Sequence, residues 1–263
     1  MGGSAFALKS WAIVLHFRLI VFTHSLLMKK GDSAWLKLIT QALFPATCIL
    51  CNRAGVQTRD LCDSCYHSLP KNTSCCLQCA EALPIVYATP MRCGRCQHHQ
   101  PAFDYTIAPF LYQEPLSYLV TGLKFRKQFT HARLLGQLLA EQIQLTQTRP
   151  ELLLPIPLHP SRYRARGFNQ ALEIARTVSQ QLHIPLDLYS CKRKKNTSPQ
   201  TQLSAQKRQQ NLTNAFSVVP TFTAKHVAIL DDVMTTGATS HALALALKKV
   251  GVQRVEVWIC ARA

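Results

Sequence analysis

Apolar and polar positions divide the chain into short apolar runs and longer one-faced segments. The clearest unit begins with an apolar run at residues 227–230, which two carboxylates, Asp231 and Asp232, follow at once. A small, hydroxyl-rich segment at 235–240 comes next, and a run of strong helix formers at 241–250 closes the unit. The pattern predicts a strand, a loop and a helix.

The remaining apolar pattern predicts strands that alternate with helices. Strands are expected at residues 106–112, 152–158, 186–191, 215–219 and 254–260. Helices are expected at residues 116–124, 131–147, 171–182 and 204–212, with a mobile polar loop at 192–200. The 152–158 run is apolar on both faces, which is typical of a strand inside a parallel sheet. The chain is therefore expected to have an α/β fold.

The unit around the two carboxylates is a candidate ligand site. Open α/β sheets bind ligands at the carboxyl ends of their strands, and a helix that begins there offers free backbone N–H groups to a phosphate. Gly237 allows the backbone to approach an anion closely, and neighbouring threonine hydroxyls add donors. Asp231 and Asp232 suit sugar hydroxyls, or a divalent cation that in turn holds phosphates. The alternative is an ordinary strand-to-helix loop capped by Thr or Ser.

A second candidate anion site is a loop rich in arginine. Arg162, Arg164 and Arg166 stand at alternate positions, and a glycine and the amide pair Asn169 and Gln170 come soon after them. Arginine forks match phosphate oxygens and stay charged. The stretch therefore predicts an anion-binding loop, with a solvated basic turn as the alternative.

Charge and missing motifs narrow the classes of function. The net charge is +17, with 30 Lys+Arg against 13 Asp+Glu, which fits a multiply phosphorylated substrate or nucleic acid. Plain solubility is the alternative explanation of this charge. The sequence contains no GxGxxG, GxxxxGK(S/T), HExxH or GxSxG motif. Dinucleotide-binding, P-loop, zincin and serine-hydrolase functions therefore lack support.

Nine of the 11 cysteines lie between residues 48 and 96. Eight of them form four C-x-x-C pairs: Cys48/Cys51, Cys62/Cys65, Cys76/Cys79 and Cys93/Cys96. Two such pairs make a tetrahedral site, so the spacing predicts two structural zinc ions. Sequential pairing is the simplest arrangement, and an interleaved cross-brace has compatible spacing. A disulfide framework and an iron–sulfur centre are the alternatives to zinc. Cys75 is expected to be a bystander, and Cys191 and Cys260 to be core thiols.

The first 44 residues are expected to form an N-terminal extension with an amphipathic helix at 33–39. Residues 5–28 are apolar, but Lys9 and Arg18 interrupt them, so neither a spanning helix nor a secretory signal is expected. There are two alternatives for this segment. Residues 1–27 could come from a start codon assigned too early, or the segment could form a helix on the membrane surface.

The order of these motifs resembles one known family. The C-x-x-C pairs are followed by LLLPIPL, RARGFNQA, NTSPQTQLSAQKRQQNLTNAF and ILDDVMTTGAT. The last of these resembles the phosphoribosyl pyrophosphate signature of type I phosphoribosyltransferases. The whole order, over about residues 35–262, resembles the ComF/GntX family. The resemblance implies a type I phosphoribosyltransferase-like parallel sheet with flanking helices at 101–263, preceded by a small double zinc ribbon domain at 45–100.

The resemblance also implies phosphoribosyl pyrophosphate and Mg²⁺ as ligands. Asp231 and Asp232 would bind the ribose hydroxyls. The 5′-phosphate would be wrapped by Thr235, Thr236, Gly237, Ala238 and Thr239. By position, the pyrophosphate would lie against Pro157, Leu158 and Arg166. Further candidates from the loops are Arg164, Asn169, Gln170, Gln200 and Arg208.

The family implies cytoplasmic bacterial proteins linked to competence, DNA uptake or use of DNA as a nutrient. A phosphoribosyltransferase with an unassigned acceptor is the first functional hypothesis, with other competence proteins as candidate partners. The alternative is a non-catalytic, zinc-dependent protein that binds single-stranded DNA, in which the phosphoribosyl site is regulatory or vestigial. Only Tyr163 and Phe168 supply aromatic rings in the basic loops, so stacking platforms for bases are not evident. A third hypothesis, attachment at the inner membrane, rests only on the N-terminal segment.

Overall fold

The computed structural model describes residues 46–56, 59–85, 89–195 and 215–263 of the chain. Its strands are β1 (Tyr105–Ile107), β2 (Phe110–Leu111), β3 (Leu152–Pro155), β4 (Cys191–Arg193), β5 (Phe216–Val218), β6 (His226–Met234) and β7 (Arg254–Arg262). Its helices are α1 (Asp63–His67), α2 (Gly94–His98), α3 (Leu116–Arg126), α4 (Phe129–Gln144), α5 (Pro160–Arg166), α6 (Gln170–Leu182) and α7 (Ala238–Lys249). The expected alternation of strands and helices is confirmed.

Five strands form one parallel sheet in the order β1, β7, β6, β3, with β2 also paired to β7. Strand β6 lies in the middle, where Leu230 is aligned with Pro155 of β3 and with Trp258 of β7. Its first five residues are therefore almost wholly apolar, because both faces of a central parallel strand are covered. The predicted parallel α/β sheet is confirmed.

Side chains of β6 alternate between two cores. Ala228 and Leu230 pack with helices α3, α4 and α6 on one face, and Val227 and Ile229 pack with α7 on the other. This alternation is the period of two of any strand. It also decides where the two acidic side chains go, because Asp232 continues the first series and Asp231 the second.

The cysteine-rich segment packs against both faces of this sheet. Cys48, Leu61 and Leu69 belong to the core on the α3 and α4 side. Cys76, Cys79 and Cys96 belong to the core on the α7 side. Asn72 holds the segment to the sheet, since its side-chain N–H groups donate to the carbonyls of Ala80 at 2.9 Å and Ala108 at 3.1 Å. The segment therefore shares its apolar contacts with the sheet domain.

Two of the element predictions are wrong. The arginine-rich stretch is not a loop: Pro160 opens α5, and Gly167, at φ 85°, ends it, which is the usual distribution of Pro and Gly at helix ends. The strand expected at 186–191 is reduced to a single parallel bridge between Leu186 and Leu153 of β3, because the Asp187 carboxylate accepts the N–H groups of Tyr189 and Ser190 and bends the chain into an Asx turn.

Three further boundaries differ from the pattern. The strand expected at 106–112 is interrupted before Phe110, next to Pro109, which has no N–H group to give to a ladder. Strand β6 continues through both aspartates to Met234 instead of ending before them. Strand β5 pairs antiparallel with β4 as a separate hairpin outside the main sheet.

Some predictions fall outside the described residues. They are the N-terminal extension with its helix at 33–39, most of the polar loop at 192–200 and the helix at 204–212. Within the part of the chain that the structure describes, none of the helices is long and apolar enough to cross a membrane.

Candidate functional site

The acidic pair at the end of β6 is the centre of the candidate site. Asp232 is 3% exposed and forms an ion pair with Lys124, from the last turn of α3. Asp231 points to the opposite face, and its Oδ1 accepts the N–H of Asp232 at 2.9 Å. Burial, followed by the charge of Asp232, raises the pKa of Asp231 to about 8. Near pH 7 Asp231 therefore holds its proton, and the Lys124 ammonium lies against the Asp232 carboxyl group.

Lys124 is a site residue that the sequence did not single out. Burial alone would lower its pKa, but the adjacent Asp232 and the nearby Asp231 outweigh burial, so the pKa is raised and the ammonium stays charged. The only sequence signal was its membership of a cationic cluster at a helix end. Nothing in that cluster indicated which of its members turns toward the carboxylates.

The loop after β6 has the backbone of an anion-binding turn. Gly237 adopts φ 76° and caps α7, and a Cβ there would lie 3.4 Å from the Met234 sulfur. Thr235 and Thr236 are exposed, and the Thr236 hydroxyl accepts the N–H of Ala238 at 3.3 Å. The first N–H groups of this 12-residue helix, with its macrodipole, face the same space as the exposed hydroxyls. The predicted strand-loop-helix unit thus brings Asp231, Asp232 and residues 235–239 together.

The exit from β3 lies beside this loop, because β3 is the parallel neighbour of β6. Pro157 and Leu158 are half-buried there. Asn169 orders this segment: its amide donates to the Ile156 carbonyl at 3.0 Å, and its oxygen accepts the N–H of Ala171 at the start of α6. Asn169 thus joins the two sequence motifs in which it and Pro157 lie.

The arginines of α5 take different positions. Arg166 is half-buried and its Nη1 donates to Gln170 Oε1 at 2.6 Å, whereas Arg164 is exposed. Arg193 lies at the start of the stretch predicted as a mobile polar loop, where residues 191–193 instead form strand β4; that prediction did not single it out. Burial and then the neighbouring Arg162 lower its pKa, while Asp231 acts in the opposite direction. The hairpin therefore brings a guanidinium toward the acidic pair. Gln200 and Arg208 lie outside the described residues.

The cysteines form two separate tetrads. They are Cys48, Cys51, Cys62 and Cys65 in the first, and Cys76, Cys79, Cys93 and Cys96 in the second. Sequential pairing of the C-x-x-C motifs is therefore confirmed, and the cross-brace is not adopted. In each tetrad all the sulfur atoms lie within 4.8 Å of one another.

The geometry of both tetrads fits zinc. A Zn–S bond of about 2.3 Å places the sulfurs of a tetrahedral site about 3.8 Å apart. The observed separations are 3.6 Å between Cys51 and Cys62 and 3.6 Å between Cys79 and Cys93. Burial raises the pKa of Cys48, but backbone N–H donors outweigh it and lower the value to about 6. These backbone donors favour the thiolate of Cys48, which is the form that zinc binds, whereas burial raises the pKa of Cys65 in the same tetrad. Cys191 and Cys260 are buried core thiols, as expected.

The proton on Asp231 predicts a pH dependence of folding. Because the folded pKa of about 8 exceeds the unfolded value of about 3.9, the folded protein holds an extra proton between these limits. The contribution of Asp231 to the free energy of unfolding is thus complete below about pH 4 and is lost as the pH rises through 8. We expect wild type to lose about 1–3 kcal/mol relative to Asp231→Asn between pH 6 and pH 8. Urea unfolding of both proteins at the two pH values measures this, and parallel pH profiles would contradict it.

Two family models match the chain. A double zinc ribbon domain matches residues 39–97, and a phosphoribosyl transferase domain matches residues 169–262. Together with the parallel sheet, the loop after β6 and the two tetrads, they define the class: a phosphoribosyltransferase-type α/β protein with an N-terminal double zinc ribbon.

Relatives over most of the chain narrow this class further. Competence protein F of Haemophilus influenzae is 37% identical over 229 residues, which cover 84% of this chain and 98% of the relative. DNA utilization protein YhgH of Salmonella typhimurium is 32% identical over 224 residues, which cover 83% and 97%. The chain belongs to the ComF/GntX family. A solved purine phosphoribosyltransferase from Pyrococcus horikoshii covers 50% of this chain at 20% identity with a TM-score of 0.30, too low to support any conclusion.

Proposed function

We propose that this protein binds phosphoribosyl pyrophosphate together with Mg²⁺ at the carboxyl edge of its sheet. The observation that carries the proposal is the position of the acidic pair. Asp231 and Asp232 lie near the carboxyl end of the central strand β6, which runs to Met234, and the glycine-capped N-terminus of α7 follows after a short turn. Carboxylates and an anion-binding turn in one place suit a ligand with both sugar hydroxyls and phosphates.

Each part of the ligand has a matching part of the site. Residues 235–239 offer backbone N–H groups and hydroxyls to the 5′-phosphate, and the aspartates accept hydrogen bonds from the ribose hydroxyls. The β3 exit at Pro157 and Leu158, with Arg166, faces the pyrophosphate. Asn169 orders this exit, so the protein holds the leaving group in a fixed orientation. Bound Mg²⁺ would supply positive charge to the pyrophosphate oxygens.

Cationic side chains of the site would stabilise the negative charge that develops when the phosphoribosyl group is transferred. Arg166 and Arg193 would stabilise negative charge on the departing pyrophosphate, since Arg forks bind phosphate oxygens from two donors. Lys124 forms an ion pair with Asp232 beside the ribose subsite. The reaction class is displacement of pyrophosphate at the ribose C1 by an acceptor, and residues 101–263 form the domain that performs it. Residues 45–100 form the zinc ribbon domain. The names of the relatives support a role in competence or DNA utilisation.

Titration calorimetry with phosphoribosyl pyrophosphate, with and without Mg²⁺, tests this proposal. Ribose 5-phosphate is the matched ligand, because it keeps the hydroxyls and 5′-phosphate but lacks the pyrophosphate. We expect tight binding only for the full ligand with Mg²⁺, and weaker binding of ribose 5-phosphate that Mg²⁺ does not improve. Release of pyrophosphate in the presence of a panel of bases and amines then tests catalysis. Absence of any binding would refute the proposal.

A second candidate function has support from one surface. Phe125 and Phe129 are 74% and 49% exposed at the cationic turn that joins α3 to α4, and Tyr163 of α5 is 50% exposed. Lys127 of that turn lies near Gly167, where a Cβ would be 3.7 Å from Nζ. Phe168, one of the two rings that the sequence places in the basic loops, is buried against Phe129 at 5.1 Å between ring centroids. Exposed rings among cations suit single-stranded DNA, whose bases stack while its phosphates pair with cations.

Replacing Phe125 separates the two functions. We expect Phe125→Ala to weaken binding of single-stranded DNA by about tenfold, since one stacked base contributes about 1–3 kcal/mol. The affinity for phosphoribosyl pyrophosphate should stay unchanged. Leu145→Ala, at a side chain 79% exposed at the far end of α4, is the matched control and should change neither. Fluorescence anisotropy with labelled oligonucleotides measures the effect. Equal DNA binding by all three proteins would count against this surface.

A further inference from the structure

Arg262 lies where the second cysteine tetrad meets the strand that carries the acidic pair. It is buried at the end of β7. Its Nη1 donates to the Met234 carbonyl at 3.0 Å, and its Nε donates to the Cys79 carbonyl at 3.2 Å. Its Nη2 forms an ion pair with Glu81. One guanidinium therefore ties the end of β6, directly before Thr235, to a C-x-x-C turn.

The phosphate loop, residues 235–239, packs on side chains that the same C-x-x-C turn contacts. A Cβ built on Gly237 would lie 3.4 Å from the Met234 sulfur and 3.7 Å from the Phe103 ring, so these two side chains lie under the loop. Gln78, between Cys76 and Cys79, donates to the Phe103 carbonyl at 3.1 Å. The turn thus reaches the loop by two routes, one through Arg262 and one through Phe103.

Glu81, the ion-pair partner of Arg262, belongs to the metal-binding turn. The Glu81 carbonyl accepts the N–H of Cys76 at 2.8 Å, which closes the turn around the sulfurs. The Glu81 carboxylate also pairs with Arg95 at 2.9 Å, and Arg95 donates to the Cys79 sulfur at 3.8 Å. When a metal holds the four sulfurs together, it holds Glu81 and the Cys79 carbonyl, and hence both of these contacts of Arg262.

The first tetrad is connected differently. Its segment is joined to α4 by Arg59, which pairs with Glu141 at 3.1 Å and also with Asp63 at 3.4 Å. A second ion pair joins Asp60 to Arg133 of the same helix. These contacts lead to the outer helix layer and away from the phosphate loop. Arg59 is therefore a matched counterpart of Arg262: an arginine that joins a ribbon to the sheet domain.

We propose that Arg262 is a positioning residue that couples the second zinc ribbon to the phosphate loop at 235–239. It holds the Met234 carbonyl, and so the start of the loop, in the geometry that the metal-held turn dictates. By linkage, a ligand on the loop and a metal in the second tetrad stabilise each other, while the first tetrad takes no part. This inference rests on the proposed ligand, and it adds that affinity at the loop depends on one ribbon only.

Hydrogen exchange on the full-length, zinc-loaded chain tests this coupling, with Arg262→Met as the disruptive variant and Arg262→Lys as the milder one. In the wild type, phosphoribosyl pyrophosphate with Mg²⁺ should slow exchange at residues 76–81 but not at 48–53. Arg262→Met should keep two zinc ions per chain, lose this remote protection and weaken the ligand by about tenfold. Arg262→Lys should show a smaller change in the same direction. Arg59→Met should retain both the remote protection and the affinity.

Two outcomes would overturn the coupling: remote protection that persists in both Arg262 variants, or equal weakening of the ligand by Arg59→Met. A ligand-free arm separates this inference from the proposed function. Without any ligand, Arg262→Met, or Arg262→Lys if the first does not fold, should speed exchange at residues 234–243 relative to Arg59→Met. If the wild type bound no phosphoribosyl pyrophosphate while this difference appeared, the ligand would be wrong and the coupling correct.

Discussion

Replacing Asp231 and Asp232 together with asparagine is expected to abolish binding of phosphoribosyl pyrophosphate, raising Kd by about 100-fold or more. Asparagine keeps the shape of each side chain but can never ionise, so the pair loses its negative charge. Hydrogen bonds from ribose hydroxyls to a carboxylate are stronger than those to a neutral amide, and Mg²⁺ prefers charged oxygens. The double change also frees Lys124 from its ion pair, which leaves an uncompensated cation beside the ribose subsite.

The control for this double change is Asp104→Asn. Asp104 also accepts hydrogen bonds and pairs with a lysine, Lys248 at 2.9 Å. It lies at the opposite, amino edge of the sheet, directly before β1 and against the start of β7. We expect it to lower stability slightly and to leave ligand affinity unchanged. Calorimetric titration measures the affinity, and circular dichroism confirms that each variant is folded. A double variant that still bound the ligand with wild-type affinity would place the site elsewhere.

Loss of zinc is expected to have the largest effect on stability. Cys48→Ser should remove one zinc ion per chain and lower the free energy of unfolding by about 5 kcal/mol, because structural zinc supplies folding energy directly. The effect should extend to the sheet domain, since Cys48 is buried in the same core as Leu135 and Leu138 of α4. A free-standing ribbon would instead unfold by itself and leave the melting of the sheet unchanged.

Cys75→Ser is the matched control for this loss. Cys75 is half-buried, directly precedes a ligand and belongs to neither tetrad. The variant should keep two zinc ions per chain, and its free energy of unfolding should lie within about 1 kcal/mol of the wild-type value. Metal analysis and urea unfolding measure both quantities. Two zinc ions retained in Cys48→Ser, or metal lost in Cys75→Ser, would contradict the assignment of the ligands.

Much of the fold could be predicted from the sequence, because the patterns that indicate strands and helices are local. The apolar run at 227–230 marked a central parallel strand, and the helical pattern at 131–147 marked α4. The errors came where a short-range contact competed with the pattern. Asp187 captured two backbone N–H groups and bent a segment that otherwise resembles a strand. Pro160 and Gly167 supplied helix-end signals for α5, yet the closely spaced arginines between them suggested a loop.

The sequence by itself determined the chemistry of both kinds of site. Four C-x-x-C pairs define the two tetrads, and the acidic pair followed by a threonine-rich turn defines the candidate phosphoribosyl loop, because each depends on residues close together in the chain. Only the tertiary structure decided which distant residues serve them. Lys124, Arg193 and Arg262 come from a helix, a hairpin and the last strand. Their roles depend on which face of β6 each aspartate takes and on how the sheet packs against the ribbon, and no spacing along the chain encodes a contact between elements so far apart.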